Sequence, residues 1–199
     1  MAEYRALTSK YHPKLSEEYK DVMTWAGSWE VVIGDIGHFY HFWRYKDYSG
    51  VDKFEQETTK SPLQREFREQ VLGLTYGRQN WLTQAFSFWK PSLPPKNHDT
   101  IYELRTYNLR PGKLFEWERD WRQGLEARRP YQEPVGAWFS HMGGLHTVFH
   151  IWEYPSLEER EKIRAAAWQV EAWSNTVSKT VTMIDSMHSQ IMRPIAFRI

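Results

Sequence analysis

Two stretches hold the side chains best suited to chemistry: His41-Phe42-Trp43-Arg44-Tyr45 and His150-Ile151-Trp152-Glu153-Tyr154. Each sets His, Trp and Tyr at alternate positions. In an extended strand, residues i, i+2 and i+4 share one face, so each stretch presents an imidazole, an indole and a phenol in a row. Facing a common lumen, such a set could bind a flat aromatic ligand, and a histidine there could ligate haem iron. The structural alternative is a pair of core strands in which every polar tip finds a hydrogen-bond partner, as buried polar groups do. Alternation puts Phe149 and Ile151 on the face opposite His150, Trp152 and Tyr154. The expectation is that the polar-tipped set points into the space between two sheets and the plain apolar pair packs under helices.

Other candidates are weaker. His141, His146 and His150 could approach one another across a hairpin, but no carboxylate completes the set and no HExxH occurs, so no metal site is expected. Gly143-Gly144 reads as a turn, not a phosphate loop, because no helix follows directly. Glu103, Arg105 and Arg110 are expected to form an ion network on a surface or interface. There is no GxSxG, P-loop or dinucleotide fingerprint, so no catalytic residue is assigned. With no cysteine, disulfides, thiolate zinc sites and Cys nucleophiles are excluded.

The two stretches sit 109 residues apart (150 − 41), and the same offset aligns Trp29 with Trp138 and Ile33–Ile36 with Met142–Leu145. This is the signature of an internal duplication. Formal net charge is +1, from 26 basic and 25 acidic residues, which argues against a nucleic-acid-binding face. No run approaches the ~20 apolar residues of a membrane span. Met1–Arg5 shows neither a signal-peptide core nor a transit-peptide pattern. The abundance of aromatics, 11 Trp, 11 Tyr and 10 Phe, supplies enough apolar bulk for sizeable cores.

The elements that would position these residues follow from local pattern. Glu3–Tyr11 reads as a short strand. Pro13 opens a helix through Leu15, Tyr19, Val22 and Met23. Trp29–Ile33 and His38–Tyr45 form a hairpin. Ser61-Pro62-Leu63-Gln64 starts a helix carrying Leu63, Phe67 and Val71. Trp81–Trp89 reads as a strand, and the proline-rich stretch 91–99 as a linker. In the second half, Ile101–Leu109 is a strand and Lys113–Arg129 a helix with Leu114, Trp117, Trp121 and Leu125 as its buried stripe. Val135–His141 and His146–Tyr154 form a hairpin, Ser156-Leu157-Glu158-Glu159 caps a helix, Trp173–Ile184 is helical, and His188–Ile195 is a closing strand. Each half reads β-α-β-β-α-β, so the fold class is α+β: two ferredoxin-like (split βαβ) repeats, 1–90 and 100–199, packed sheet to sheet.

The second half resembles the NIPSNAP family. The matching residues are Tyr102-Glu103-Leu104-Arg105-Thr106-Tyr107, Arg110-Pro111-Gly112, Val135-Gly136, His150-x-Trp152-x-Tyr154, the Arg164-x-Ala166-Ala167-Trp168 helix and Ile191-Met192. The first half matches over His41–Tyr45 and Ala85–Trp89. The resemblance implies the dimeric α/β-barrel fold, a mitochondrial setting with the matrix foremost, and a role in mitochondrial quality control and vesicle or protein interactions. It implies protein partners, leaves homo-oligomers and peripheral membrane contact open, and assigns no enzyme activity or cofactor. The related barrel superfamily includes haem-degrading and other monooxygenases, which makes a haem- or small-ligand-binding barrel the alternative. One departure stands out: Tyr4 and Pro13 align with Tyr102 and Pro111 at an offset of 98 (102 − 4), and the glutamate and arginine of the opening strand are missing there.

Overall fold

The computed structural model describes residues 1–89, 99–132 and 134–195. The elements are α1 (Ala2–Glu18), β1 (Met23–Ile33), β2 (Phe39–Tyr45), α2 (Tyr48–Thr58), α3 (Pro62–Leu72), β3 (Leu82–Ala85), β4 (Ile101–Leu109), α4 (Leu114–Arg128), β5 (Gly136–Met142), β6 (Thr147–Tyr154), α5 (Leu157–Trp168), α6 (Glu171–Val181) and β7 (Ile184–Pro194). Residues 90–98, most of the expected linker, lie outside the described residues.

The fold is α+β, of the dimeric α/β-barrel type. All seven strands join one curled antiparallel sheet in the order β2-β1-β7-β4-β6-β5-β3. Two separate stacked sheets were expected; reciprocal strand exchange merges them. β7 pairs with β4 over Ile184–Met192 and then reaches β1 over Ile191–Pro194. β3 adds to β5 in the same way. At the 109-residue offset, β1, β2, α2, α3 and β3 correspond to β5, β6, α5, α6 and the end of β7.

The chain start differs from its expected form. Glu3–Tyr11 is not a strand, and the helix does not begin at Pro13; one helix, α1, runs through Pro13, and Val22–Met23 lead into β1. Leu7, Thr8, Tyr11, His12 and Leu15 are buried on one stripe at helical spacing. Burying that stripe outweighs the single backbone hydrogen bond that Pro13 withholds. The buried stripe of α4, Asp120, Trp121, Gly124, Leu125 and Arg128, has the same spacing at an offset of 113 (120 − 7). Tyr4 therefore corresponds to Trp117, not Tyr102, and the described residues of the first half hold no counterpart of β4. Ser61 and Ser156 cap α3 and α5 through their hydroxyls, accepting from Gln64 and Glu159 N–H. Among the described residues no helix is long and apolar enough to cross a membrane.

Three packed layers result. Trp29, Val31, Tyr102, Leu104, Trp138, Ile151 and Met192, with Tyr40, Phe42, Ala85 and Phe149, fill the concave face of the sheet, every strand contributing. On the outer face, α4–α6 cover the β4–β7 half around Trp117, Trp121, Leu125, Trp152 and Trp173. There α1–α3 cover β1 and β2 around Leu7, Tyr11, Leu15, Phe67 and Val71.

Candidate functional site

The facing of the His/Trp/Tyr rows is the reverse of the expectation. Phe149 and Ile151 fill the lumen, while Trp152 and Tyr154 pack under the helices and His150 lies against Trp121 of α4 at 5.1 Å between ring centroids. The lumen is lined mainly by apolar and aromatic side chains from all seven strands, and beyond the Gln190–Tyr40 hydrogen bond it offers polar tips few partners. Large helix-borne indoles, by contrast, leave room and partners for them outside the sheet. Trp43 and Tyr45 likewise pack toward α1–α3.

That outer layer holds a cavity of about 360 Å³. Its floor is Arg105 and Tyr107 of β4, His150 and Trp152 of β6, and Ile184 and Met187 of β7. Its roof is Trp121 and Arg128 of α4, Arg164 and Trp168 of α5, and Trp173 and Val177 of α6. The size suits a small organic molecule. Aromatic rings dominate the walls, and three guanidinium groups converge on them.

Of the three guanidiniums, only Arg105 stands near a carboxylate. Glu103 is fully buried beside the cavity, where Arg160 grips it through two hydrogen bonds of 2.9 and 2.7 Å and Ser189 donates a third at 2.7 Å. Burial alone would raise this carboxyl; the Arg160 hydrogen bonds and the Arg105 charge overcome that and hold it at about 2. Arg105 Nε lies 3.9 Å from Glu103 Oε1, too far to hydrogen-bond. Arg128 is 2% exposed, donates one long bond of 3.4 Å to the Ile163 carbonyl, and sits over the Trp152 and Trp173 rings at 5.0 and 5.8 Å. Among the described residues neither Arg128 nor Arg164 forms an ion pair. The expected surface network of Glu103, Arg105 and Arg110 is thus split: Glu103 is interior, and Arg110 pairs with Asp185 in the open.

His150 is 2% exposed, and its Nδ1 accepts the Trp152 indole N–H at 2.7 Å. An indole can only donate, so the proton of the neutral ring sits on Nε2, which has no partner among the described residues. Burial, and then the Arg105 charge, push the imidazole well below its usual range, so it stays neutral. This arrangement does not fit haem ligation. Nε2 carries the proton an iron ligand must lose, and moving it to Nδ1 would set two N–H groups against each other.

The matching set in the first half makes a closed network. His41 Nδ1 hydrogen-bonds Ser28 Oγ at 2.6 Å, and His41 Nε2 hydrogen-bonds the Tyr4 hydroxyl at 2.8 Å. Trp25 donates its indole N–H to the same Ser28 Oγ, and the His12 ring lies edge-on to His41 at 4.6 Å. Burial, then the Arg78 charge, pull His41 down to about 4, and burial first lowers His12 well below its usual range. Burial also lifts the Tyr45 hydroxyl to about 12. The offsets place Leu15 where Arg128 stands and Glu55 where Arg164 stands. The cationic chamber therefore belongs to the second half alone, and the duplicated fold does not require its arginines.

The histidines 141, 146 and 150 do not converge: His141 hydrogen-bonds the Tyr48 hydroxyl at 2.5 Å. Among the described residues no group of three or more His, Cys, Asp or Glu could hold a metal ion. Arg128 went unseen in the sequence, and Arg164 was noticed only as a NIPSNAP-matching residue, because charged helical residues usually face water. One local signal existed: Arg128 continues the Trp117, Trp121, Leu125 stripe at the spacing of a buried position.

Comparison with known proteins adds relatives for this arrangement. The NIPSNAP family model matches residues 102–198. The chain is 35% identical over 193 residues to Protein NipSnap homolog 2 of Homo sapiens, covering 96% of this chain and 67% of the relative. It is 33% identical over 196 residues to Protein NipSnap homolog 1 of Danio rerio, covering 98% and 70%. A crystal structure of a candidate monooxygenase from Fusobacterium nucleatum superposes with a TM-score of 0.63 over 98% of this chain and 86% of that one. At 12% identity that likeness speaks for the fold alone.

Proposed function

The chain belongs to the NIPSNAP family, and we propose that it binds a small organic anion, an aromatic body with a carboxylate head, in the chamber under α4–α6. One observation carries this reading: a buried guanidinium without a carboxylate partner, Arg128, faces an aromatic-walled cavity that Arg105 and Arg164 also line. Isolated buried charge is costly, and a bound anion would offset that cost. The neutral His150 offers a further donor, while Trp121, Trp152, Trp168 and Trp173 offer ring faces. The chamber holds no paired nucleophile and base, which favours binding over covalent chemistry.

Tryptophan fluorescence tests this directly, because four indoles line the chamber. Titration with indole-3-acetate and phenylacetate should quench emission saturably. The corresponding neutral amides should bind at least about tenfold more weakly, the worth of one charge-assisted hydrogen bond. Equal binding of acid and amide, or no saturable quenching by either, would overturn the reading.

A protein-interaction role within mitochondria remains a second proposal. Likeness to the NipSnap relatives supports it, and so do the exposed apolar residues Leu72 at the end of α3 and Leu74, Tyr76 and Trp81 between α3 and β3.

A further inference from the structure

The charge of the chamber is out of balance. The guanidiniums of Arg105, Arg128 and Arg164 line it, and among the described residues no carboxylate does. Glu103, buried beside it, is already held by Arg160 and Ser189. A single bound monoanion would leave positive charge in excess against aromatic walls, which solvate it poorly.

The cations and free donors fall into two groups. Arg105 of β4 and His150 of β6 stand directly opposite each other in the sheet register, so their side chains rise side by side from one face. Arg105 Nε and His150 Nε2 are both buried, with no hydrogen-bond partner among the described residues. Arg128 belongs to the other group. It lies 5.0 Å over the Trp152 ring, and Trp152 stands two residues along β6 from His150, about 7 Å by the strand rise. Trp152 bridges the two groups, donating its N–H to His150 Nδ1 at 2.7 Å while its ring face carries Arg128. Arg164 serves both ends, since its charge bears on His150 and also on Tyr154, which feels Arg128 as well.

We infer that the chamber selects rigid dianions, flat arenes that carry carboxylates on opposite sides of the ring. One carboxylate accepts from Arg105 Nε and His150 Nε2, the other meets Arg128, and the arene lies between them among the chamber's indoles. This selectivity rests on the chamber binding anions, as proposed above, and adds where the two charges sit. A monocarboxylate satisfies one group only. An arene with adjacent carboxylates brings the charge without the span.

Calorimetric titration of the intact chain with three benzene carboxylates separates charge from span. Terephthalate, with its carboxylates para, should bind at least about tenfold more tightly than benzoate, the worth of a second charge-assisted hydrogen bond. Phthalate has the same charge with its carboxylates ortho, and its affinity should stay close to that of benzoate. Arg128→Leu removes one end and should bring terephthalate down to the affinity of benzoate. Arg105→Gln should do the same at the other end, on a side chain 20% exposed that the fold does not need buried. Terephthalate binding no tighter than benzoate or phthalate overturns the dianion selectivity, and so does a terephthalate preference that survives both substitutions. The anion-binding reading still stands in those cases if indole-3-acetate and phenylacetate bind more tightly than their amides. Failure of every acid to bind overturns both.

Discussion

Arg128→Leu separates a binding role from a structural one, because the two predict changes of opposite sign in stability. Leucine is what the first half carries at the equivalent position, Leu15, so the side chain suits this fold. Arg128 is 2% exposed, and its guanidinium holds one 3.4 Å bond to a carbonyl plus ring contacts at 5.0 and 5.8 Å. The two cation–π contacts contribute about 1–2 kcal/mol each when desolvated. Against them stands a desolvation penalty of several kcal/mol, which no carboxylate repays here. The apo protein should therefore gain about 1 kcal/mol, within the range seen when buried charges give way to apolar residues. Binding moves the other way. Losing a charge-assisted hydrogen bond worth about 1.5–3 kcal/mol weakens the Kd for indole-3-acetate roughly 10- to 150-fold. Urea denaturation reads the first effect and fluorescence titration the second. A loss of 2 kcal/mol or more with unchanged binding would show that Arg128 holds the helices together and that the chamber is not built for an anion.

Trp117→Ala should cost on the order of 3–5 kcal/mol in chemical denaturation, since Trp117 is fully buried and stacks on Trp121 at 4.8 Å; Trp121→Ala should cost a similar amount, and a loss under about 1 kcal/mol at both sites would mean the stripe is not core. Gly124→Ala would put a Cβ within 2.2–2.5 Å of three side-chain atoms of Thr176, which rotation cannot clear. It should separate α4 from α6 at a cost of about 1–3 kcal/mol, and an unchanged urea midpoint would refute that packing. Acid should destabilise the fold in two stages. His12, His41 and His150 have depressed folded pKa values, so the unfolded chain binds their protons first and stability falls as pH drops below 6.5, with His41 contributing down to about 4. His41 alone should cost roughly 1.4 kcal/mol by pH 5.5, and His12 and His150 act in the same direction. Glu103 adds a second loss between 4.5 and about 2. Equal urea midpoints at pH 7.5 and 5.5 would mean these imidazoles are not buried neutral.

Much of this protein could be read from local pattern. Alternation in His150–Tyr154 determined which residues share a face, the 109-residue offset aligned Trp29–Tyr45 with Trp138–Tyr154, and the Ser61 and Ser156 caps located two helix starts. These are short-range properties, set by backbone period and by the partners within a turn of each residue. What lay beyond them was the side each face meets. Whether His150 looks into the lumen or under α4 depends on the curl of the whole sheet and on helices more than twenty residues away. The chamber arises only when Arg105 from a strand and Arg128 and Arg164 from two helices converge, residues whose spacing in the chain carries no common period. At the chain start, tertiary burial of Leu7, Tyr11 and Leu15 overrode a proline and a strand-like pattern.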